Sequence, residues 1–160
     1  MAVIELKNCV LSILDGAAHS IAVKIGTGNF TYSETKNRIY DLDRGVLDTV
    51  RDGDEAPMEI SFDFKWEEIQ AVSTTAEGTP TVEDVIKQRG EASGWTSTGG
   101  TCEPYCVDLQ IVHTPDCASN NAETYLFPDF RYESLSHDIN SGQVSSTGKS
   151  NATEPTITRG

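Results

Sequence analysis

The segment from Met58 to Glu67 constrains the fold most, because apolar and polar side chains alternate there at all ten positions. Alternation with a period of two is the pattern of a β-strand whose two faces meet different surroundings. The apolar side chains are expected to line a core, and Glu59, Asp63 and Glu67 are among those expected to face a wet surface. Such a strand is typical of an antiparallel sheet with one buried face.

Weaker versions of the same pattern occur elsewhere and predict a mainly β chain. Several short segments place apolar residues at alternate positions or in short runs, and turn residues such as Asp15-Gly16 lie between them. The predicted strands lie at 9–14, 21–25, 107–111, 126–136 and 143–149.

One short helix and one long loop complete the predicted elements. The helix covers about 81–89, because Thr81 is a good N-terminal cap and Gly90 is a good left-handed stop. Residues from about 41 to 57 are rich in acids and predict a long loop, and residues 150–160 predict a polar tail.

Length and charge bound the possible functions. The 160 residues predict a single domain over 1–160. With 12 Lys and Arg against 25 Asp and Glu, the net charge of −13 excludes a protein that grips nucleic acid by its phosphates. A surface along which nucleic acid slides without sticking remains compatible with it. Apolar runs never exceed four residues, so we expect no membrane span and a chain that stays soluble where it is made.

The cysteines leave three alternatives open. Cys102, Cys106, His113 and Cys117 place four soft ligands within sixteen residues, a set that suits zinc, but their spacings match no common zinc pattern. A disulfide among them and plain buried thiols are the other two interpretations. His113 also continues the alternation of the strand before it, which predicts a position on the buried face. We therefore predict no metal and no cofactor.

Catalytic motifs are lacking in the sequence. The glycines at 142 and 148 are one residue too far apart for a phosphate loop, and Ser33 to Lys36 lacks the partner motifs of serine–lysine enzymes. We expect a chain that is not an enzyme. An acidic β-domain of this kind works by presenting a surface or by self-association, and a head-to-tail contact that closes produces a ring.

The sequence resembles the major tail tube proteins of long-tailed bacteriophages. The similarity rests on short stretches that occur in order along nearly the whole chain. They are Gly26 to Phe30, Leu42 to Gly45, Arg51 to Pro57 leading into the alternating strand, Cys102 to Leu109, Phe127 to Glu133, Ser146 to Lys149, and Glu154-Pro155.

This resemblance implies an antiparallel β-sandwich or barrel-like domain with a flanking helix. It implies hexameric rings that stack into a hollow tube, in which inner strands of six subunits line the lumen and a long loop reaches the next ring. The implied partners are other copies of the chain, the tape measure protein, the tail terminator and distal tail proteins, and double-stranded DNA that passes through without specific binding. The implied location is the virion, after assembly in the cytoplasm of the bacterial host, with no membrane partner.

The resemblance also suggests roles for particular residues. Double-stranded DNA carries one charge per ~1.7 Å of axis, so an acidic wall keeps it mobile. We expect Glu59, Asp63 and Glu67 to face the lumen, with Lys65 as a local exception. The loop from Asp43 to Pro57 is the expected arm between rings, with Leu47 and Val50 as anchors. Its other expected contacts are Arg44, Arg51, Asp52 and Asp54.

Other assemblies and one other class of protein remain as alternatives. The chain is also compatible with another ring of the same machine, such as a tail terminator or baseplate ring, or with the tube of a contractile injection system. Open-ended stacking distinguishes a tube subunit from a terminator. A monomeric β-domain that binds a metal or a carbohydrate is the alternative from a different class.

Overall fold

The protein is mainly β, as predicted, with a single α-helix among the residues described. The computed structural model describes residues 4–25, 29–66, 80–115 and 121–159. The strands are β1 (Cys9–Leu14), β2 (Ser20–Val23), β3 (Phe30–Ser33), β4 (Lys36–Asp43), β5 (Val46–Glu55), β6 (Met58–Lys65), β7 (Val107–His113), β8 (Glu123–Asp138), β9 (Gln143–Ser150) and β10 (Thr156–Arg159). The helix α1 covers Val82–Lys87, and short 3-10 turns cover Leu6–Asn8 and Gly90–Ala92.

Eight of the strands form one antiparallel sheet in the order β2-β1-β7-β8-β9-β6-β3, with β10 beside the first part of β8. The two ends of this sheet approach each other. The backbone N–H of Lys65 in β6 donates to the carbonyl of Lys24, which follows β2, at 2.9 Å. At the β3 end, the N–H of Asp63 donates to the carbonyl of Asn29 at 3.0 Å, which extends the pairing of β6 with β3, so β6 is bonded both to its neighbour β3 and to the residue after β2. The sheet therefore curls into a barrel-like sandwich around one core.

Strand β6 confirms the prediction from its alternation. Met58, Ile60, Phe62 and Phe64 are at most 2% exposed, and the intervening polar side chains point away from the core. The apolar face ends earlier than predicted, because Trp66 lies beyond the last residue of β6 and is 43% exposed. Along β6, the buried apolar face thus ends at Phe64.

Helix α1 begins as predicted and ends sooner. The Thr81 hydroxyl accepts a hydrogen bond from the N–H of Asp84 at 3.3 Å, which caps the first turn. The helix stops at Lys87, and Gln88 takes the left-handed conformation, with φ of 53°. The prediction that Gly90 ends the helix is therefore wrong, although Gly90 also has a positive φ.

The prediction of a long loop over 41–57 is wrong. Strands β4 and β5 pair along this stretch as a two-stranded sheet of their own. They are joined by Arg44 and Gly45, whose φ angles of 51° and 80° are those of the tight turn that matches the twist of a hairpin. Both faces of this hairpin are exposed, so charged residues occur along both strands. The alternation of apolar and polar residues that marks a strand is therefore not visible in the sequence.

The first hairpin is fixed by a buried carboxylate. The Asp15 side chain is fully buried and accepts the N–H groups of Ala17, His19 and Thr96, each at 3.0 Å. The His19 ring nitrogen lies 2.6 Å from the same carboxylate, and the ring stacks on Trp95. Burial alone would raise the pKa of Asp15, but these hydrogen bonds outweigh burial and hold it below the usual 3.8. Asp15 thus ties the turn after β1 to the loop before β7.

Replacing Asp15 by asparagine is expected to lower the free energy of unfolding by about 2 kcal/mol at pH 7, because a buried anionic acceptor of several N–H groups is lost. The pKa of Asp15 is lower in the folded than in the unfolded protein. The stability that its carboxylate contributes is therefore complete above the unfolded pKa and is lost as the pH falls through the folded pKa. The difference from the wild type should therefore shrink below about pH 4. Urea unfolding at several pH values measures this difference.

The control is the exposed Asp48, where the same substitution should cost less than about 0.5 kcal/mol. An equal loss at both positions would contradict the role of Asp15.

Candidate assembly surfaces

The β4–β5 hairpin is the most prominent surface feature. Every residue of its two strands is exposed except Asp41 and Gly53, which are half-buried. Its eight-residue first strand extends about 26 Å at the usual rise per residue. An isolated two-stranded hairpin is marginally stable in water, so a hairpin this long gains from a partner surface.

The strand register gives the hairpin one apolar face. Tyr40 is paired with Val50, and Leu42 with Leu47, and residues paired directly across two strands share a face. A register shift leaves Asp48 as the extra residue between these pairs, and it turns Leu47 toward the side of Val50. The four side chains are between 54% and 71% exposed. We call Tyr40, Leu42, Leu47 and Val50 the apolar hairpin face.

The opposite face of the hairpin is polar over most of its length. The Thr49 hydroxyl donates to the Asp41 carboxylate at 3.3 Å, and Arg51 lies 3.7 Å from the same carboxylate. Two exposed aliphatic side chains interrupt this row, Ile39, paired with Arg51, and Val46, paired with Asp43 near the turn. The hairpin is therefore amphipathic, like a strand pair that covers a core, but it covers none in the subunit.

The predicted arm residues occupy different parts of this hairpin. Leu47 and Val50 lie on the apolar hairpin face, beside Tyr40 and Leu42. The sequence alone does not predict Tyr40 and Leu42 as members of this surface. Arg44 is at the turn, with its side chain 91% exposed. That position leaves Arg44 accessible to a neighbouring molecule.

The remaining arm residues are engaged within the hairpin. Arg51 pairs with Asp41 on the polar face, and Asp52 lies 3.3 Å from Arg38 and 3.7 Å from Lys36. The Asp54 carbonyl accepts a hydrogen bond from the Asn37 side chain at 2.8 Å. These contacts hold the two strands in register. The Asp52 side chain is more than half exposed, so each of its ion pairs adds little to stability.

The expected lumen residues lie on the outer face of β6. Glu59 is exposed and paired with Lys149 of β9, and Asp63 is half-buried and paired with Ser145. Glu67 lies outside the described residues. Lys65 and Lys149 stand among these acids, so this face is polar and mixed in charge. Whether it faces a lumen stays a prediction.

An apolar groove opens at the end of the sandwich near the start of β1. Its volume is about 280 Å³. It is lined by Ile4, Leu6, Cys9, Phe30, Tyr32, Ile111, Tyr125 and Phe127. We call this set the end groove.

The structure does not assemble the proposed zinc ligands. Cys106 precedes β7 and His113 ends it, so they lie about 20 Å apart along the strand. His113 is buried, as its alternation predicted. Cys102 is an exposed free thiol, and Cys117 lies outside the described residues. Across the ranges that the structure describes, no three His, Cys, Asp or Glu side chains form a set able to hold a metal ion.

The buried thiol of Cys106 contacts polar groups instead. Its sulfur lies 3.3 Å from the Thr98 hydroxyl and 3.5 Å from the Ser97 hydroxyl. The Thr98 hydroxyl also donates to the Asp129 carboxylate at 2.8 Å. These contacts connect the loop before β7 to β8, which gives Cys106 a packing role.

Within the described ranges there is also no helix of the length and apolar character required to cross a membrane.

Comparison with known proteins identifies the fold. No protein-family model and no curated protein sequence matches the chain. A solved chain from the cryo-EM structure of an extracellular contractile injection system, the PVC sheath/tube terminator in its extended state, has a TM-score of 0.56 at 14% identity, covering 99% of this chain and 98% of that one. A chain of the anti-feeding prophage (AFP) baseplate has a TM-score of 0.48 at 5% identity, covering 99% and 97%, which is too low to support a conclusion. The chain thus shares its fold, from end to end, with a chain of the terminator structure.

Proposed function

We propose that this protein is a structural ring subunit of a phage tail or a related contractile injection system, of the type that terminates a tube or sheath. The observation that carries the proposal is the end-to-end likeness to a chain of a sheath/tube terminator structure. The sequence resemblance to phage tail tube proteins is to the same class of particle. In this role the chain is a particle component that works through its surfaces, with no catalytic step.

The surfaces of the subunit support a role in assembly. The apolar hairpin face is exposed, on a hairpin that forms a sheet separate from the sandwich among the described strands. The end groove is a second apolar surface, formed by different strands. Two different surfaces on one chain favour head-to-tail contacts, which produce a closed ring when the rotation between neighbours closes.

A tube subunit is the second candidate. It is favoured by the polar outer face of β6, where Glu59 and Asp63 stand among small hydroxyl side chains such as Ser61 and Thr147. In a hexameric ring this face would line the lumen, with the tape measure protein and then the double-stranded genome passing along it. On this face Glu59 and Asp63 would offset Lys65 and Lys149, which would keep it from holding phosphates strongly and would limit adhesion of the DNA.

Electron microscopy and sedimentation over a concentration series test both candidates. A terminator subunit should form single closed rings that stay single as the concentration rises. A tube subunit should form open-ended hollow tubes with a regular axial repeat. A protein that stays monomeric at every concentration, alone and with purified tube ends, would overturn the proposal.

A further inference from the structure

We propose that the end groove of one copy receives the apolar hairpin face of a second copy. This inference rests on the proposed function, because it requires that the chain assembles with itself. It adds the acceptor surface, which neither the sequence nor the comparisons identify.

Within the part of the chain that the structure describes, the end groove is an open apolar surface that borders the core. Phe30 and Tyr32 of β3 pack on Phe127 of β8, with ring centroids 5.2 Å and 5.0 Å apart. The end groove lies beside these rings, and Ile4 and Leu6 in its lining are 48% and 37% exposed. An apolar surface that is open at the end of a core is completed by apolar side chains from outside.

The size of the end groove suits inserted side chains. Its volume of about 280 Å³ is slightly below ~300 Å³, the lower end of the usual range for pockets that bind small molecules. Its lining is aliphatic and aromatic, with few polar groups to orient a small ligand. Two or three side chains from a neighbouring strand pair fill such a volume, so a protein segment fits better than a metabolite.

The apolar hairpin face has the matching character. Its four side chains are aliphatic or aromatic and lie as two neighbouring cross-strand pairs, Tyr40 with Val50 and Leu42 with Leu47. The hairpin forms a sheet of its own, and nearly all of its residues are exposed, which leaves it accessible to a neighbour. Each copy carries both the β4–β5 hairpin and the end groove, so the contact can repeat from copy to copy.

The salt dependence of association distinguishes an apolar contact between copies from a contact made by ion pairs. Every copy carries a net charge of −13, so approaching copies repel each other. Salt screens this repulsion and strengthens burial of apolar surface. Association through the groove should therefore increase with salt, whereas association through ion pairs would decrease.

Cys9 is a native thiol in the lining of the end groove and provides the test. The experiment uses the full chain with Cys102→Ser and Cys117→Ser, so that the remaining described thiol besides Cys9 is the buried Cys106. Leu47→Cys in this background places a thiol on the apolar hairpin face. Thr49→Cys, on the polar face, is the matched control, and Val50→Cys is a second test variant.

After mild oxidation at alkaline pH, Leu47→Cys and Val50→Cys should give covalent oligomers on a non-reducing gel, at least tenfold more than Thr49→Cys. Adding Cys9→Ser should remove them. If rings form normally but no cross-link depends on Cys9, the groove assignment is wrong and the ring proposal stands. If neither the wild type nor any variant associates at any concentration, alone or with purified tube ends, the proposed function itself fails. Circular dichroism of each variant confirms that it is folded.

Discussion

Replacing Leu47 by lysine should abolish assembly and leave the fold of the free subunit unchanged. The Leu47 side chain is 71% exposed in the subunit, so its removal costs the isolated chain little. In an assembled contact, the same position would place an unpaired ammonium group in an apolar surface, which is strongly unfavourable. We expect the association constant to fall at least about 100-fold, or about 2.7 kcal/mol. Sedimentation velocity over a concentration series measures this loss.

Thr49→Lys is the matched control for this change. It adds the same charge to the same strand, and it lies on the polar face beside Asp41. Both variants reduce the net negative charge of the chain equally, so long-range repulsion between copies falls by the same amount. Thr49→Lys should therefore assemble as well as the wild type. Equal behaviour of the two variants, whether both assemble or both fail, would contradict a role for the apolar hairpin face.

The sequence predicts a strand well where the two faces of that strand meet different surroundings. In β6 one face is buried and the other is exposed to solvent. Apolar and polar residues therefore alternate along the strand, and this period of two is visible in the sequence. In β4 and β5 both faces are exposed in the subunit, and acids and bases occur on each. Without a buried face there is no hydrophobic period, and the turn at Arg44-Gly45 lacks the asparagine or aspartate that usually marks such a hairpin.

The candidate assembly surfaces were predictable only in part for a related reason. Leu47 and Val50 are visible as apolar residues in an acidic stretch, but their partners Leu42 and Tyr40 lie across the hairpin and depend on its register. The shift at Asp48 cannot be read from the sequence, and without it Leu47 would share a face with Thr49. The end groove collects residues from β1, β3, β7, β8 and the segment before β1, so no local pattern reveals it.

Gly148→Ala should be the most destabilising small substitution among those considered for this protein. Gly148 lies in β9, between Ile60 of β6 and Tyr132 of β8. A Cβ atom there would overlap the carbonyl oxygen of Arg131 and lie 2.8 Å from the ring of Phe130. The overlapping atom belongs to the backbone, so it cannot move aside by a change of rotamer, and the two strands must separate. Overpacking costs about 1–3 kcal/mol, occasionally more, and we expect about 3 kcal/mol or more here.

Thermal unfolding followed by circular dichroism measures this cost. A loss of 3 kcal/mol corresponds to a fall of roughly 6–12 °C in Tm for a domain of this size. Gly94→Ala is the control, because an added Cβ at this exposed position meets no atom within 4 Å. Its stability should stay within about 0.5 kcal/mol of the wild type. A Tm of Gly148→Ala equal to that of Gly94→Ala would contradict the close approach of β8 and β9.

The Gly148 variant also separates folding from assembly. Because the substitution strains the sheet in the subunit, Gly148→Ala should lose stability first and assemble poorly only at temperatures where it begins to unfold. Leu47→Lys should show the opposite order, with assembly lost at every temperature and the unfolding transition unchanged. If Gly148→Ala keeps its stability but fails to assemble, then the β8–β9 region itself belongs to an intersubunit contact. In that case the hairpin and the end groove would not be the whole assembly surface.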